Sequence, residues 1–232
     1  MFTRTLPSTL ARTREGLHRV AEHVVSPARY AVTRRIGLRP APGGFATPPF
    51  GEDERVIAVD GAELLVRVGG TERRTPLTTL GDAAWFVGVD AGAPAHVYRP
   101  ATPLDLDAPL SVDPAAARVL ADWYALGAEA LRLLAAEISD EEPSEAQLWP
   151  EHFDLGVTAA AVNYGVSPGD DHVADPYLYV GPHAGPPRND DFWNAPFGAV
   201  LTIHEVRSVE DALDFFRAGH ERVATAQNRS TT

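Results

Sequence analysis

The 232-residue chain contains no lysine and no cysteine, and it has a single methionine. Without lysine it can form no Schiff base with a carbonyl substrate or with pyridoxal phosphate, and it lacks the lysine of a phosphate-binding loop. Without cysteine it has no thiol nucleophile, no cysteine-bound iron–sulfur cluster and no disulfide. These chemistries are therefore excluded as functions of this chain.

Long apolar runs are also absent, since no stretch approaches the roughly 20 apolar residues that a membrane-spanning helix needs. The hydrophobic fraction of 44% and the charged fraction of 22% are ordinary for a globular protein. We expect one globular domain over residues 1–224, with an N-terminal helical segment at 8–36 docked on it and a frayed tail at 225–232. The sequence leaves the oligomeric state open.

Positive charge is concentrated at the start of the chain. Residues 1–40 carry eight arginines against Glu15 and Glu22, a balance of +6, so the rest must carry −18 to reach the formal net charge of −12. A basic segment can meet nucleic acid or an anionic membrane, but an adjacent acidic body repels both. We therefore expect the basic segment to dock on that body, and we predict no nucleic-acid or membrane partner.

Hydrophobic spacing predicts an α+β fold, a mostly antiparallel sheet with about four helices packed on one side. Helices are expected near 10–35, with a break at Pro27, and at 83–87, 113–138 and 208–224. Strands are expected at 55–59, 62–68, 71–77, 153–164, 176–181 and 198–206. Asp60-Gly61 favours a type I′ hairpin, and the short helix at 83–87 is expected to bury Trp85 or Phe86. Residues 88–112 are expected to form a loop.

The first helix contains two histidines in the segment HRVAEH, but their spacing differs from the zinc motif HExxH. At about 100° per residue, His18 and His23 would point roughly 140° apart around an α-helix, so one metal could not readily bind both. No phosphate cradle, dinucleotide fingerprint or zinc spacing occurs elsewhere in the sequence. We therefore predict no metal and no cofactor.

Two further motifs in the second half of the chain have simpler interpretations. Gly165–Gly169 matches the G-x-S-x-G nucleophile elbow, but the elbow requires a helix after the serine and an N–H on the next residue, which Pro168 lacks. Asp170, Asp171, His172 and Asp175 offer ligands for a divalent cation, but without the spacing of an EF-hand. An Asp-rich turn that satisfies its own hydrogen bonds is the favoured interpretation.

The best candidate pocket follows from strand alternation, because residues two apart share one face of a strand. Three expected strands would then present one apolar face to the helices, while two histidines, one aspartate and two tyrosines gather on the other face. An aspartate can orient a histidine as general base, and a tyrosine can stabilise an oxyanion. A solvent-facing surface or a buried polar network would have the same pattern. With a loop tryptophan, the candidate pocket residues are His152, Asp154, Tyr177, Tyr179, His204 and Trp193.

Two hypotheses about function follow from these residues. The first is a small-molecule binding or catalytic domain that uses the His/Asp/Tyr sheet face, with polar loop residues around it, Arg188, Asn189, Asp190, Asp191 and Asn194. The second is a non-catalytic interaction or structural protein with an acidic surface. A concave pocket at His152 or His204 would favour the first hypothesis, and an exposed apolar patch near Trp193 or Phe197 would favour the second.

Several segments of the sequence resemble a family of conserved proteins from GC-rich actinobacteria: LHRVAEHVVSPARYAVTRRIGLRPAPGGF, LWPEHFDLGV, NYGVSPGD, PYLYVGP and FWNAPFGA. The resemblance covers most of the chain. It implies a bacterial, cytoplasmic protein, and it carries no activity, cofactor or catalytic residue over to this chain.

Overall fold

The computed structural model describes residues 5–187 and 191–230. Its helices are α1 (Leu10–Val20), α2 (Ser26–Thr33), α3 (Leu80–Val87), α4 (Pro114–Glu137) and α5 (Val209–Ser230). Its strands are β1 (Arg39–Ala41), β2 (Gly44–Ala46), β3 (Val56–Asp60), β4 (Glu63–Val68), β5 (Thr71–Pro76), β6 (Gln147–Trp149), β7 (Asp154–Ala159), β8 (Val162–Ser167), β9 (Tyr177–Pro182) and β10 (Ala199–Thr202).

The α+β class predicted from the sequence is confirmed, and the strand pairings are antiparallel. The strands divide between two five-stranded sheets, where the sequence analysis expected one. The sheet orders are β1-β2-β3-β4-β5 and β10-β9-β8-β7-β6. Two compact units are distinguished along the chain. The first unit comprises residues Thr5–Ala125 and Gln147–Asp154, and the second comprises Leu126–Ala146 and the described residues from Leu155 onward.

The meander β3-β4-β5 in the first unit forms as predicted, with β5 at the sheet edge and Pro76 at its end. The first turn differs by one residue from the expected one. Because Asp60 pairs with Glu63, the two-residue loop is Gly61-Ala62, and Gly61 takes the positive φ of 61° that a primed turn requires. Two short strands, β1 and β2, extend this sheet from a Pro/Gly-rich segment in which no strand was expected.

Pro27 does not divide the first helix, contrary to the sequence analysis. The helix runs from Leu10 to Thr33 through a π-helical turn at Ala21–Val25, in which the N–H of Ser26 donates to the carbonyl of Ala21, five residues earlier. A proline ring clashes with the carbonyl four residues before it in a regular α-helix. The wider turn immediately before Pro27 therefore lets the helix continue.

The short helix α3 was expected to bury Trp85 or Phe86, but Trp85 is 84% exposed and Phe86 is only partly buried. Its buried side chains are Leu80, Ala83, Ala84 and Val87. Residues 88–112 then contain neither helix nor strand, as predicted. The following helix begins as expected, since the side chain of Asp113 accepts a hydrogen bond of 2.9 Å from the N–H of Ala116.

The second unit builds a helix-covered sheet from β7 to β10. The expected single strand over 153–164 is a hairpin, because Ala160 and Ala161 both adopt positive φ (46° and 61°) and reverse the chain. Leu155, Val157, Tyr164, Val166, Leu178 and Val180 share the buried apolar face. Gly127 of α4 lies against Val166 and Gly219 of α5 lies against Val180, so both helices pack on that face, as predicted.

Candidate functional site

The opposite face of this sheet carries polar and aromatic side chains together with glycines. The register of β7 to β10 places Thr158, Asn163, Gly165, Tyr179, Tyr177 and Thr202 on it. The predicted alternation is therefore confirmed for the second unit: one face packs on helices and the other collects the tyrosines. We call this second surface the polar face.

Tyr179 lies across the polar face because Gly165 leaves room for its ring. A methyl group at Gly165 would lie 2.2 Å from Cζ of Tyr179, whereas one at Gly156 would lie 3.4 Å from its hydroxyl oxygen. The ring centroid of Tyr179 is 6.2 Å from that of Tyr177 and 6.5 Å from that of Phe197. These three rings form a continuous aromatic row, of which Phe197 is the most exposed member.

Tyr177 fixes the loop that precedes its strand. Its hydroxyl donates to Oδ2 of Asp170, whose other oxygen accepts from the N–H groups of His172 and Val173. Burial would raise the pKa of Asp170, but these hydrogen bonds together hold it below its usual value. The Asp-rich segment thus forms the turn predicted from the sequence, with Asp170 satisfying local donors.

His204 lies at the end of the row, next to an acid that the sequence analysis left outside the pocket. β10 ends at Thr202, so His204 lies in the turn after the strand. The sequence analysis expected it to lie within the strand. The N–H of Ile203 donates to the carbonyl of Pro176, which extends the β9–β10 pairing by one residue. The next opposed pair is His204 and Asp175, with 2.9 Å between Nε2 and Oδ2.

This hydrogen bond defines which histidine nitrogen is available. A carboxylate only accepts, so Nε2 of His204 carries the hydrogen. The other nitrogen, Nδ1, is buried and has no hydrogen-bond partner among the described residues. In neutral histidine that nitrogen is an acceptor, so the Asp175–His204 pair has the arrangement of an oriented general base.

The other three candidate residues occupy different surroundings. His152 is exposed in the turn before β7, so it does not lie on a strand, and Asp154 is the first residue of β7; both belong to the first unit. Trp193 is only 5% exposed, and its ring meets that of Phe192 edge-on at 4.9 Å. Three of the loop residues expected near the face, Arg188, Asn189 and Asp190, lie outside the described residues.

Two chemistries weighed from the sequence receive no support from the geometry. Ser167 is the last residue of β8, is buried, and accepts a hydrogen bond from the N–H of Gly169; no helix follows it. It therefore lacks the strand-to-helix geometry of a nucleophile elbow. Within residues 5–187 and 191–230, no group of three or more acidic or histidine side chains is arranged to hold a metal ion.

Sequence reasoning missed a polar chain on the helix-covered side of the second unit. The hydroxyl of Tyr164 lies 3.1 Å from Nδ1 of His220, whose Nε2 lies 3.2 Å from Oε1 of Glu141. Burial, together with the charge of Glu141, raises the pKa of Tyr164. His220 is 56 positions from Tyr164 in the sequence and further still from Glu141, so no local spacing connects the three residues.

It also missed the role of the first helix in the first unit. Glu22 is fully buried and accepts hydrogen bonds of 2.8 Å from the N–H groups of Ala101 and Thr102, and a third from the Thr102 hydroxyl. Nδ1 of His23 accepts from the N–H of Ala93 at 3.2 Å, and Nε2 lies 3.0 Å from the carbonyl of Thr102. The π-helical turn thus directs two adjacent polar side chains to one loop.

No helix among the described residues has both the length and the apolar character needed to cross a membrane. Comparisons with models of protein families, with curated proteins and with solved structures find no match for this chain. Its function must therefore be inferred from the geometry of its own residues.

Proposed function

We propose that the polar face of the second unit binds a small molecule, with the Asp175–His204 pair as its acid–base group. The observation that carries the proposal is the position of this pair at the end of the aromatic row, with Nδ1 of His204 buried and without a partner among the described residues. A buried acceptor of this kind is satisfied by a donor from a ligand or from water. Tyr177, Tyr179 and Phe197 supply apolar ring faces beside it.

The chemistry of these side chains indicates the class of ligand. Aromatic rings favour a ligand with a flat or apolar face, and the histidine acceptor requires a hydroxyl or N–H group on that ligand. A sugar, a nucleoside or another small polar ring compound satisfies both requirements. His204 would then accept a proton from the ligand while Asp175 stabilises the imidazolium.

The sequence-based pocket contained six residues, and four of them remain in this proposal: Tyr177, Tyr179, His204 and Trp193, the last as a support of the neighbouring loop. His152 and Asp154 remain proposed as polar residues of the first unit. The alternative is a non-catalytic interaction or structural protein with an acidic surface. In that alternative the aromatic row and the His204 pair only stabilise the sheet.

We further propose that the protein is bacterial and cytoplasmic, with neither nucleic acid nor membrane as a partner. The formal net charge of −12 supports the proposal that neither nucleic acid nor membrane is a partner, because an acidic surface repels phosphate groups. The resemblance to actinobacterial proteins supports the bacterial origin.

A thermal-shift screen against metabolites and divalent cations tests the proposed function, since a compound that binds only the folded protein raises its melting temperature. Two variants then localise any compound found. Gly165→Ala adds a methyl group where the Tyr179 ring lies, and the ring can swing away because the contact is with its far end. Gly156→Ala adds the same methyl group on the same face with only ordinary contact.

The expected result is a compound whose effect is lost in Gly165→Ala and retained in Gly156→Ala, with both variants folded. A compound that is equally effective on both variants binds elsewhere and contradicts the proposal. If no small molecule raises the melting temperature, the interaction hypothesis replaces the ligand-binding one.

A further inference from the structure

We propose that the first unit contains a second site, built from Tyr98 and Glu151, that binds a small ammonium group. It shares no residue with the polar face, and it does not depend on the function proposed there.

The first observation is a pair of buried polar atoms without partners. Among the described residues, the hydroxyl oxygen of Tyr98 and Oε2 of Glu151 are both shielded from solvent and form no hydrogen bond. Burying such groups unpaired is unfavourable, and native proteins nearly always give them a partner. Both residues belong to the first unit, and a group bound between them would supply the missing contacts.

The second observation is that the segments carrying these two residues contact neighbouring turns of the first helix. Nε2 of His18 donates a hydrogen bond of 2.8 Å to the carbonyl of Pro150, the residue before Glu151. Glu22 follows His18 by four residues, so it lies one turn further along the same face. Glu22 binds the N–H groups of residues 101 and 102, close in sequence to Tyr98. The segments that carry Glu151 and Tyr98 therefore contact adjacent turns of the helix, and the charge of Glu151 acts on the Tyr98 hydroxyl.

The third observation is how firmly this region is held. Residues 88–113 form a long segment without regular structure, yet Glu22 and His23 bind it at Ala93, Ala101 and Thr102 from a π-helical turn. Long ordered loops and π turns both occur preferentially at functional sites. The loop that carries Tyr98 is thus held in place by the protein itself, before a ligand binds.

The charges determine which ligand fits. Glu22 accepts three hydrogen bonds from residues 101 and 102, and no arginine forms an ion pair with it among the described residues. Burial raises the pKa of Glu151, and burial with the charges of Glu22 and Glu151 raises that of Tyr98. The site therefore repels anions, and a cation with N–H donors matches its acceptors.

Binding also has a consequence for protons. Burial lowers the pKa of His18, so the neighbouring imidazole supplies little competing positive charge at neutral pH. An ammonium group beside Glu151 stabilises the ionised carboxylate and opposes the effect of burial. The fraction of Glu151 that is protonated in the free protein then releases its proton to solvent on binding. The exposed turn residue His152, next in sequence to Glu151, lies where this region meets solvent.

Methylammonium chloride is the probe that tests the site, with potassium chloride at equal ionic strength and methanol as controls. We expect methylammonium to raise the melting temperature of the full chain by about 3 °C near tenfold excess over Kd, and the controls to leave it unchanged. An equal effect of potassium would show a general cation effect, and an equal effect of methanol would show that charge is not needed. Either outcome overturns the proposal.

Three variants test which residues bind methylammonium. Glu151→Gln removes the carboxylate at nearly constant shape, and Tyr98→Phe removes only the hydroxyl. Each should weaken methylammonium binding, the first by about tenfold or more because it removes a charged acceptor. Glu15→Gln changes an exposed acid on the same helix and should bind like the natural protein.

Titration calorimetry in two buffers of different ionisation enthalpy supplies an independent readout. The natural protein should release protons on binding methylammonium in mild acid, because the pKa of Glu151 is raised, and Glu151→Gln should release none. Binding without proton release, or equal affinity in the Glu151→Gln and natural proteins, overturns the proposal. Should Glu151→Gln fail to fold, unchanged affinity in Tyr98→Phe overturns it as well.

Discussion

Nε2 of His204 donates a hydrogen bond of 2.9 Å to Oδ2 of Asp175, and the two residues oppose each other just beyond the β9–β10 pairing. This contact fixes the hydrogen on Nε2 and leaves Nδ1 as the acceptor. Any acid–base chemistry on the polar face depends on that assignment, which can be measured directly.

Asp175→Asn should disturb the histidine while sparing the fold. An asparagine side chain can donate to Nε2, which shifts the hydrogen to Nδ1 and removes the proposed base. Nitrogen NMR of the imidazole should show the Nε2–H form in the natural protein and its loss in the variant. Because both side chains are partly exposed, stability should change by less than about 1 kcal/mol. An unchanged imidazole spectrum would contradict the role given to Asp175.

Glu22→Gln should loosen the loop at residues 88–113. The buried carboxylate accepts from two N–H groups and one hydroxyl, and an amide has only one oxygen to offer them. We expect a loss of about 3 kcal/mol in the free energy of unfolding, measured by urea denaturation. Limited proteolysis should cut the loop faster in Glu22→Gln than in Glu15→Gln. Equal cleavage rates would show that Glu22 does not hold the loop.

His18 should make the protein less stable in mild acid. Burial, the largest influence on this group, lowers its pKa below 6.5 in the folded protein, so the unfolded chain binds the proton more readily. The stability that neutral His18 contributes is present above pH 6.5 and is lost as the pH falls through the folded pKa. His18→Gln keeps a donor for the Pro150 carbonyl but does not titrate. Its free energy of unfolding should therefore fall less than that of the natural protein between about pH 7 and pH 5.

Substitutions in the turn between β7 and β8 should raise the stability of the protein. Alanine at positive φ costs about 1 kcal/mol, and Ala160 and Ala161 both adopt this conformation. The double change Ala160→Asn with Ala161→Gly supplies the preferred pair for such a turn and should raise the free energy of unfolding by about 1 kcal/mol. Gly69→Ala, at φ 53° with open space around it, is the reverse control and should lower stability. A destabilised double variant would contradict the turn geometry.

Trp85 should contribute little to folding, because it is 84% exposed. Trp85→Ala is expected to change the free energy of unfolding by less than about 0.5 kcal/mol while removing the red edge of the fluorescence emission. Trp123→Ala, at a side chain that is 1% exposed, should cost about 3–5 kcal/mol. Comparable losses in the two variants would contradict the exposure of Trp85.

Much of the fold could be predicted because local patterns determine local structure. Asp113-Pro114 marks the start of α4, and Ser208 with Asp211 marks the start of α5, where each side chain accepts from the other's N–H. The β7–β8 turn could not be found this way. Two alanines carry no turn signal, and they adopt positive φ only because Leu155 and Val166 pair across the hairpin and bury one common face.

The candidate site could also be predicted only where a local pattern determines the structure. Alternation in the sequence was enough to place Tyr177 and Tyr179 on the face opposite Leu178 and Val180, because side-chain direction in a strand has a period of two. It failed for His152, which lies in the turn before β7, where alternation has no meaning. His204 also lies in a turn, but it continues the β9–β10 register opposite Asp175.

The sequence by itself therefore determined the α+β class, most of the helices and strands, and the chemistries that a chain without lysine and cysteine cannot perform. Only the tertiary structure decided which polar groups meet. Asp175 reaches His204 through strand register, and Glu22 reaches Thr102 through a helix widened before Pro27. Such contacts join residues distant in the chain, and they form because packing fixes the backbone and buried polar groups then require partners.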